Sequence, residues 1–445
     1  MKYSLILLCL FITGAARAEL DPFSVYSLHA PNGCLDAEIG TKKLTLADLI
    51  EIGLCNNPSL NKGFMSVKAS EASYGATQSE YLPTISATGS LSSDYSKGEY
   101  DGSSHGDPYS GSVALDWLLF DFGGRTARAE QTKAYLDAAG FTYNVLLQDT
   151  ILNITRAYYT LLSNKAVLDS AKISEKSFKK SYEESKKRYE LGLVPLNDKL
   201  LAQTSYEQSK LSVIEADNAV QEASGNLAVL LNLPPDTVFD LFLPKKNKET
   251  TQLNINQNIQ ELIDMAVEER SEIKSKYKEQ EAAKYNIDIA KSTALPSISV
   301  GASISGNDNW RRDNPYQYGA SAGVRLSVPL FTGFKNTYNI SKAQYEYEQA
   351  NYGVSETIDA VKNEVWNAWQ NYKTAFAAYD ISKNVLESAK ENQRVAFASY
   401  EVGRGSILNL LTAESQLADA RQENASAFYN VLITKANLYR AIGRF

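Results

Sequence analysis

An internal repeat constrains this chain more than any other feature of its 445 residues. The stretch RYELGLVPLNDKLLAQTSYEQSKL in the first half is matched by SYEVGRGSILNLLTAESQLADARQ in the second. Matched residues such as Gly192 and Gly403 are 211 positions apart. Further upstream, LPTISATGSLSS at 82–93 is matched by LPSISVGASISG at 295–306. Repetition of this extent predicts two structurally similar halves.

Both halves have the same predicted order: a short helix, a second helix, two strands and a long helical hairpin. We assign the first repeat to 44–233, a linker or equatorial segment to 234–256, and the second repeat to 257–445. Apolar residues alternate with small or polar ones in four segments, which predicts strands at about 84–95, 109–120, 297–305 and 316–330.

The helical hairpins are predicted from a sustained three-and-four spacing of apolar residues. In the first half the spacing follows Leu147, Ile151, Ile154, Tyr158 and Leu161, and in the second it follows Ile358, Val365, Trp369, Tyr372 and Phe376. This heptad pattern is typical of coiled-coil packing. A helix over 123–190 would be about 100 Å long, at roughly 1.5 Å per residue.

The predicted strands each have one apolar and one small, polar face. In 295–306, for example, Val300 and Ile304 alternate with Ser299 and Ser303. Four strands are too few to close a barrel, and an open edge is not tolerated in lipid, so a barrel would have to be shared between chains. Two chains would supply eight strands with a filled interior, whereas three would supply twelve around water.

The small serine and glycine face favours the wider, twelve-stranded arrangement. The alternative is a soluble β-sandwich with a coiled coil, in which these serines are ordinary surface. Aromatic residues near the strand ends favour the membrane interpretation, because such residues form girdles at membrane interfaces. They are Tyr95, Trp117, Phe120, Tyr316 and Phe331.

The N-terminal residues 1–18 have the features of a secretory signal peptide. Lys2 precedes an apolar run, and Ala16-Arg17-Ala18 provides an A-x-A cleavage pattern. Residues 19–43 would then form an N-terminal arm. In an oxidising compartment, Cys34 and Cys55 most simply form a disulfide. Two buried free thiols are the alternative.

The residue inventory does not favour an enzyme or a nucleic-acid-binding protein. The net charge is −7, and the sequence lacks the basic patch that is typical of nucleic-acid-binding proteins. His29 and His105 have no metal ligands at suitable spacing. Gly123-Gly124 is too sparse for a phosphate-binding loop. The carboxylates lie on helical polar faces, where a solvated surface role is expected. We therefore predict no catalytic residue, no metal and no cofactor.

The doubled plan resembles the TolC-like outer-membrane efflux and secretion channel family. The resemblance depends on LTLADLIEIGLCNNP, the paired LPxIS strand starts, LLFDFGGR and PLFTGF at the strand-to-helix junctions, and the two YExG turns. It covers essentially the whole chain after the signal peptide. The implied fold class is an α+β membrane protein, with four strands per chain in a shared twelve-stranded outer-membrane barrel continued by an α-helical coiled-coil periplasmic barrel.

The resemblance also implies a function and partners. The expected protein is a homotrimeric exit duct, located in the outer membrane and extending into the periplasm. Its partners would be a periplasmic adaptor and an inner-membrane pump of the RND, ABC or MFS type, and its cargo small toxic compounds or a type I secreted protein. A secreted structural coiled-coil protein without a transport role is the alternative.

The turns at 191–197 and 402–408 are expected to form the periplasmic entrance, where the family closes its channel. Gate candidates are Asn197, Asp198, Tyr400, Arg404, Asn409 and Thr412. The alternative is that these are ordinary exposed residues of helix ends. Turn and adaptor-docking candidates are Gly192, Leu193, Val194, Leu196, Gly403, Ile407 and Leu408. Packing within the turn is the alternative for the apolar residues among them. Asn409 and Thr412 stand where the family often has aspartates. Rings of carboxylates would be lost there, which predicts weaker cation block at the entrance.

Overall fold

The computed structural model describes residues 43–98, 102–244, 258–309 and 316–444. The predicted signal peptide, His29, Cys34 and almost all of the predicted arm therefore lie outside the described residues. Much of the predicted linker also lies outside them. No helix of the described ranges combines the length and apolar character needed to cross a membrane.

The described chain is mostly helical, with six strands. In the first half the elements are α1 (Leu46–Asn56), α2 (Pro58–Gln78), a 3₁₀ turn (Ser79–Tyr81), β1 (Thr84–Leu91), β2 (Asp94–Gly98), β3 (Gly102–Gly106), β4 (Pro108–Phe120), α3 (Gly124–Glu190) and α4 (Leu196–Leu230). In the second half they are α5 (Ile259–Glu269), α6 (Ser271–Ser292), β5 (Ser297–Asn309), β6 (Gln317–Ser327), α7 (Lys335–Glu401) and α8 (Ile407–Ala441). The long helices α3 and α7 each have 67 residues, and α4 and α8 each have 35.

Local sequence explains the short helices at the start of each half. Thr45 caps α1 through a capping box with Asp48, which satisfies amide groups that the first helical turn leaves free. The Asn57-Pro58 pair separates α1 from α2, because proline starts a helix readily but cannot continue one. Asn57 Oδ1 then accepts a hydrogen bond of 2.8 Å from Ser59 N.

Four strands form an antiparallel sheet in the order β1-β4-β5-β6. β1 and β6 are its outer strands, and within the described ranges neither has a second neighbour. Side chains of the sheet alternate between its faces as the sequence predicts. One face has hydroxyl pairs across strands, at 2.7 Å between Thr88 and Ser112 and 3.0 Å between Ser303 and Ser321. The other has apolar pairs such as Val300 with Val324.

The strand predicted at 84–95 is wrong in its second part. β1 ends at Leu91, and β2 pairs with β3 in a separate two-stranded sheet. The chain turns at Ser92, whose amide donates to Pro108 O at 3.0 Å, and Ser93 Oγ donates to Asp107 Oδ1 at 2.6 Å. These polar contacts interrupt the alternation before β2. β5 extends to Asn309, beyond the predicted end, and β6 is shorter than predicted.

The described chain divides into two compact units, and neither coincides with one sequence repeat. One unit contains Met65–Gly140 and Ser275–Val354, and includes both sheets. In it α3 contacts α6 through Gln131 Nε2 and Ala282 O at 3.3 Å. α6 contacts α7 through Asn286 Nδ2 and Glu346 Oε2 at 3.1 Å. The helices thus meet in the order α3-α6-α7.

The other unit contains residues up to Phe64, Phe141–Lys274 and Ser355–Phe445. Its cores are formed by the inward-facing stripes of the long helices. One core includes Leu49, Ile154, Leu161, Leu227 and Phe428, and another includes Leu262, Ile273, Val365 and Leu438. A third core lies near the hairpin turns and contains Phe178, Ala202, Tyr400, Ile407, Leu410 and Leu411.

Candidate functional site

The candidate site comprises the two hairpin turns and the helix segments beside them, all within the second unit. The second residue of each turn is a glycine in the left-handed conformation, Gly192 at φ 71° and Gly403 at φ 77°. The amides of Leu193 and Arg404 donate to carbonyls five residues earlier, at 2.9 Å in both turns. Each long helix therefore ends in a Schellman motif, which requires a residue that tolerates positive φ.

The helices that follow the turns begin with different chemistry. Asp198 lies in the first turn of α4, where a carboxylate is favoured by the positive end of the helix dipole. The position 211 residues later is Asn409 in α8, whose amide is capped by Ser406 Oγ at 3.2 Å. The first turn of α4 thus has a negative charge that the equivalent position of α8 lacks.

Most predicted gate residues lie on the surface of the single chain. Asn197, Arg404, Asn409 and Thr412 are exposed, and Asp198 is partly exposed. Within the described part of the chain, no ion pair involves Asp198 or Arg404. A bond between Asp198 and Arg404 is therefore not made within one chain, and the gate roles stay predictions.

Tyr400 is not a surface gate residue within the chain. Its side chain is 2% exposed and lies in the core with Phe178 and Leu410. The Arg188 guanidinium stacks over its ring at 4.9 Å and donates to its carbonyl oxygen. The Tyr400 hydroxyl is buried and has no hydrogen-bond partner among the described residues. Arg188 thus connects the ends of α3 and α7, a contact that is not predicted from the sequence.

The apolar residues predicted for adaptor docking divide into two groups. Leu193, Leu196 and Leu408 are exposed, by 64%, 48% and 62%, and Val194 is partly exposed. Ile407 is only 3% exposed, which fits the alternative of packing within the turn. It begins an inward-facing stripe with Leu410, Leu411 and Leu417. The three-and-four spacing of that stripe turns Ile407 towards the core.

Glu414 on α8 is a buried carboxylate between the two hairpins. It is 2% exposed, and its Oε1 accepts from Ser181 Oγ at 2.6 Å, Ser177 Oγ at 3.2 Å and Gln393 Nε2 at 3.5 Å. Its Oε2 is buried without a hydrogen-bond partner among the described residues. Burial raises the pKa of Glu414, although these donors and the charge of Arg421 act in the opposite direction.

Glu414 is not predicted as a functional residue from the sequence, because carboxylates on helices are expected on solvated faces. A signal was present in the heptad register, since Glu414 falls on the Ile407–Leu410–Leu417 face rather than the polar one. That expectation is therefore wrong for Glu414.

The described residues contain no group of His, Cys, Asp or Glu side chains able to hold a metal ion. Cys55 is disulfide-bonded. Its predicted partner, Cys34, lies outside the described residues, so the pairing stays a prediction. His105 lies in β3, and its side chain is not among those described.

The fold of this chain is that of known transmembrane channel proteins. It superimposes on CusC, whose structures concern transmembrane channel formation, with a TM-score of 0.78 at 20% identity, covering 94% of this chain and 95% of that one. The family profile described as "Outer membrane efflux protein" matches residues 49–233 and 262–444, and the chain belongs to this family.

Two curated relatives are similar over most of their length. Protein CyaE of Bordetella pertussis is 29% identical over 384 residues, which cover 86% of this chain and 80% of the relative. The outer membrane protein TolC of Vibrio cholerae is 23% identical over 408 residues, which cover 89% and 90%. The chain is thus an outer-membrane channel protein of the efflux and secretion class.

Proposed function

We propose that three copies of this channel protein form one export duct. Twelve strands, four from each copy, close a barrel in the outer membrane, and the helical hairpins continue as a coiled-coil tunnel in the periplasm. An inner-membrane pump of the RND, ABC or MFS type and a periplasmic adaptor deliver the cargo. The duct passes small toxic compounds or a type I secreted protein and acts as a passive conduit gated at its helical turns.

The observation that carries this proposal is the four-stranded sheet with two unpaired outer strands. β1 and β6 each lack a second neighbour in the described chain, and the sheet has a hydroxyl-rich face and an apolar face. In lipid, backbone groups at such edges require partners, which other copies of β6 and β1 can supply. The hydroxyl face then suits a water-filled interior, and the apolar face suits lipid.

The two matches to the family profile support an internal structural repeat. The equal lengths of α3 and α7, and of α4 and α8, support it as well. Because the sequence is repeated within the chain, each copy contributes two quasi-equivalent helical hairpins to the wall of the duct. Three copies would therefore supply six similar helical hairpins to the wall of the tunnel.

A row of tyrosines on α7 supports contact between copies. Tyr338, Tyr345 and Tyr352 recur every seventh residue and are 74–75% exposed. At matching heptad spacing, α2 exposes Met65 and three small residues, Ala69, Ala72 and Ala76. Large side chains on one helix fit spaces beside small ones on another, as knobs fit holes in a coiled coil. We assign the tyrosine row of one copy to the α2 alanine face of the next.

Replacement of Tyr345 by glutamate tests this contact. A charge buried between helices is costly, so we expect Tyr345→Glu to reduce the trimer yield at least tenfold. The yield is measured by chemical crosslinking and native mass spectrometry of the detergent-purified protein. Gln344→Glu introduces the same charge at an exposed neighbouring position and serves as control. Equal trimer yields from Tyr345→Glu and the wild type would contradict the assignment.

Conductance across planar bilayers tests the duct itself. We expect discrete ion conductance from purified trimers inserted into outer-membrane lipids, and co-purification of an adaptor and a pump after crosslinking in cells. Leu193 and Leu408 are exposed at the turns, and we propose them as part of the adaptor contact. Absence of both conductance and partners would instead favour a secreted structural coiled-coil protein.

A further inference from the structure

Glu414 joins the two helical hairpins of one copy through a single carboxylate oxygen. Ser177 and Ser181 belong to α3 in the first hairpin, whereas Glu414 and Gln393 belong to α8 and α7 in the second. All three hydrogen bonds reach Oε1, at 2.6 to 3.5 Å. Oε2 is enclosed without a partner among the described residues. A carboxyl group with a proton on Oε2 is uncharged and fits this enclosure better than a carboxylate.

Four charged or titratable groups on the helices around this contact have partners of their own. On α8, Arg421 is the cation whose charge acts on Glu414, and its Nη1 donates to Ser174 Oγ at 3.4 Å. On α3, Lys180 lies over the Phe397 ring at 4.1 Å. On α7, Arg394 is paired with Glu391 at 2.6 Å. From α4, Tyr206 stacks on Tyr182 with 5.9 Å between ring centroids.

Arg421 does not form an ion pair with Glu414 among the described contacts, and Lys180 and Arg394 have other partners. Only neutral donors, the hydroxyls of Ser177 and Ser181 and the amide of Gln393, reach the carboxylate, and all of them bind Oε1, so no cation among the described residues pairs with its negative charge. The carboxylate therefore has little direct compensation where it is buried. Separation of the hairpins would return it to water and remove that cost.

We propose that Glu414 is a proton-sensitive contact between the two hairpins, and that its ionisation favours their separation and opens the duct. The inference rests on the proposed function, because it assigns regulation to the same helical gate. Protonated Glu414 keeps α3 and α8 together in the closed arrangement. Ionised Glu414 is more stable where water reaches it.

The direction of the pH dependence follows from linkage. In the closed arrangement the pKa of Glu414 is raised, whereas a solvated glutamate titrates at about 4.3. The closed arrangement is therefore fully favoured below the solvated pKa and loses stability as pH rises towards the raised pKa. Between the two pKa values, the closed-to-open ratio of each copy falls by up to about tenfold per pH unit.

Glu414→Gln tests the contact because glutamine resembles the protonated side chain. Spin labels at Leu191→Cys and Val402→Cys, both exposed turn residues, report the separation of the hairpins. In the full-length labelled protein we expect the label distance to increase from pH 4 to pH 8. The same labels in Glu414→Gln should show the closed distance at every pH. Glu423 is an exposed glutamate on the same helix, so the label distance in Glu423→Gln should respond to pH as it does in the wild type.

Ser181→Ala separates a proton-linked contact from a purely structural one. Loss of a donor to the carboxylate should raise the pKa of Glu414 further and shift the opening midpoint to higher pH. A purely structural role would reduce thermal stability without moving that midpoint. Unchanged pH responses in both Glu414→Gln and Ser181→Ala would overturn the inference.

The labels also separate this inference from the proposed function. A duct that conducts ions but whose turns ignore pH would refute the proton-sensitive contact alone. Turns that respond to pH through Glu414, in a protein without conductance at any pH, would refute the export duct. They would also refute the opening assigned to Glu414, and leave only a hairpin rearrangement.

Discussion

At the scale of the residue, Gly403 has both an unusual backbone and a close neighbour. Its φ of 77° is strained for any residue with a side chain, and a Cβ atom there would lie 3.0 Å from Arg188 Nη2. A Cβ atom at this distance would displace the Arg188 guanidinium, which contacts Tyr400, by a few tenths of an ångström. One glycine thus permits both the helix end and the cross-hairpin contact.

Gly403→Ala should lower the stability of the protein by about 1–2 kcal/mol, because alanine is strained in the left-handed conformation. Thermal unfolding, followed by helical circular dichroism, provides the measurement. Gly140→Ala is the matched control: Gly140 lies within α3, and its Cβ would meet nothing within 4 Å in the chain. Because alanine favours helices, this control should stabilise by roughly 0.5–1 kcal/mol. The same sign for both variants would contradict the interpretation.

Single residues also show what the sequence could and could not predict. The role of Gly403 could be predicted because its requirement is local: a helix that ends needs a residue of positive φ. The burial of Tyr400 and Glu414 depends on which helix faces pack together. The packed residues are far apart in the sequence: Ser177 and Glu414, for example, are separated by 237 positions. Residue type suggested a solvated surface for Glu414, and the family resemblance suggested a gate role for Tyr400.

At the scale of the element, β5 has one apolar face and one face of small and polar residues. Val300 lies opposite Val324 and Trp117 on the apolar face, whereas Ser299 lies opposite Arg325 and Leu118 in the register. A strand with this alternation could be recognised from sequence because its period of two is local. The β2–β3 hairpin could not, since its Ser-, Gly- and Lys-containing strands lack an apolar face and are specified by their pairing.

Val300→Asp should prevent assembly, because it introduces a charge on the face assigned to lipid. A basic residue on the lipid face of a barrel costs about 2–4 kcal/mol at the bilayer midplane, and an acidic residue costs less. Ser299→Thr should be tolerated, since it keeps a hydroxyl on the opposite face. Both variants are compared by the yield of heat-modifiable trimers in the outer-membrane fraction. Equal yields from Val300→Asp and the wild type would mean that the two faces have been assigned the wrong way round.

At the scale of the whole molecule, an ion-pair network connects elements from both sequence repeats. Arg270 pairs with Glu272 and Glu364, each at 2.8 Å, and Arg440 pairs with Asp149 at 2.8 Å and with Glu272. Both arginines are buried at 4% exposure. Burial raises the pKa of Glu272, but hydrogen bonds from Arg270 and Arg440 outweigh it and hold the pKa below its ordinary value.

A lowered pKa in the folded protein makes the network sensitive to acid. Its contribution is fully present above the unfolded pKa, about 4.3 for glutamate, and is lost as pH falls through the lower folded value. We expect the unfolding temperature of the wild type to decrease as the pH is lowered through this range. Glu272→Gln should be less stable at pH 7 and show a smaller acid loss. Glu268→Gln, an exposed neighbour, provides the control, and an unchanged acid response in Glu272→Gln would contradict the assignment.

The unpaired outer strands of the sheet also have a consequence for biogenesis. A single copy entering lipid would carry backbone amides and carbonyls of β1 and β6 without partners, and each such group costs several kcal/mol in hydrocarbon. Those groups become hydrogen-bonded when a neighbouring copy pairs with them. In the proposed trimer the last step of folding is therefore the association of chains. The rate at which mature protein accumulates should therefore rise more steeply than linearly with the rate of synthesis.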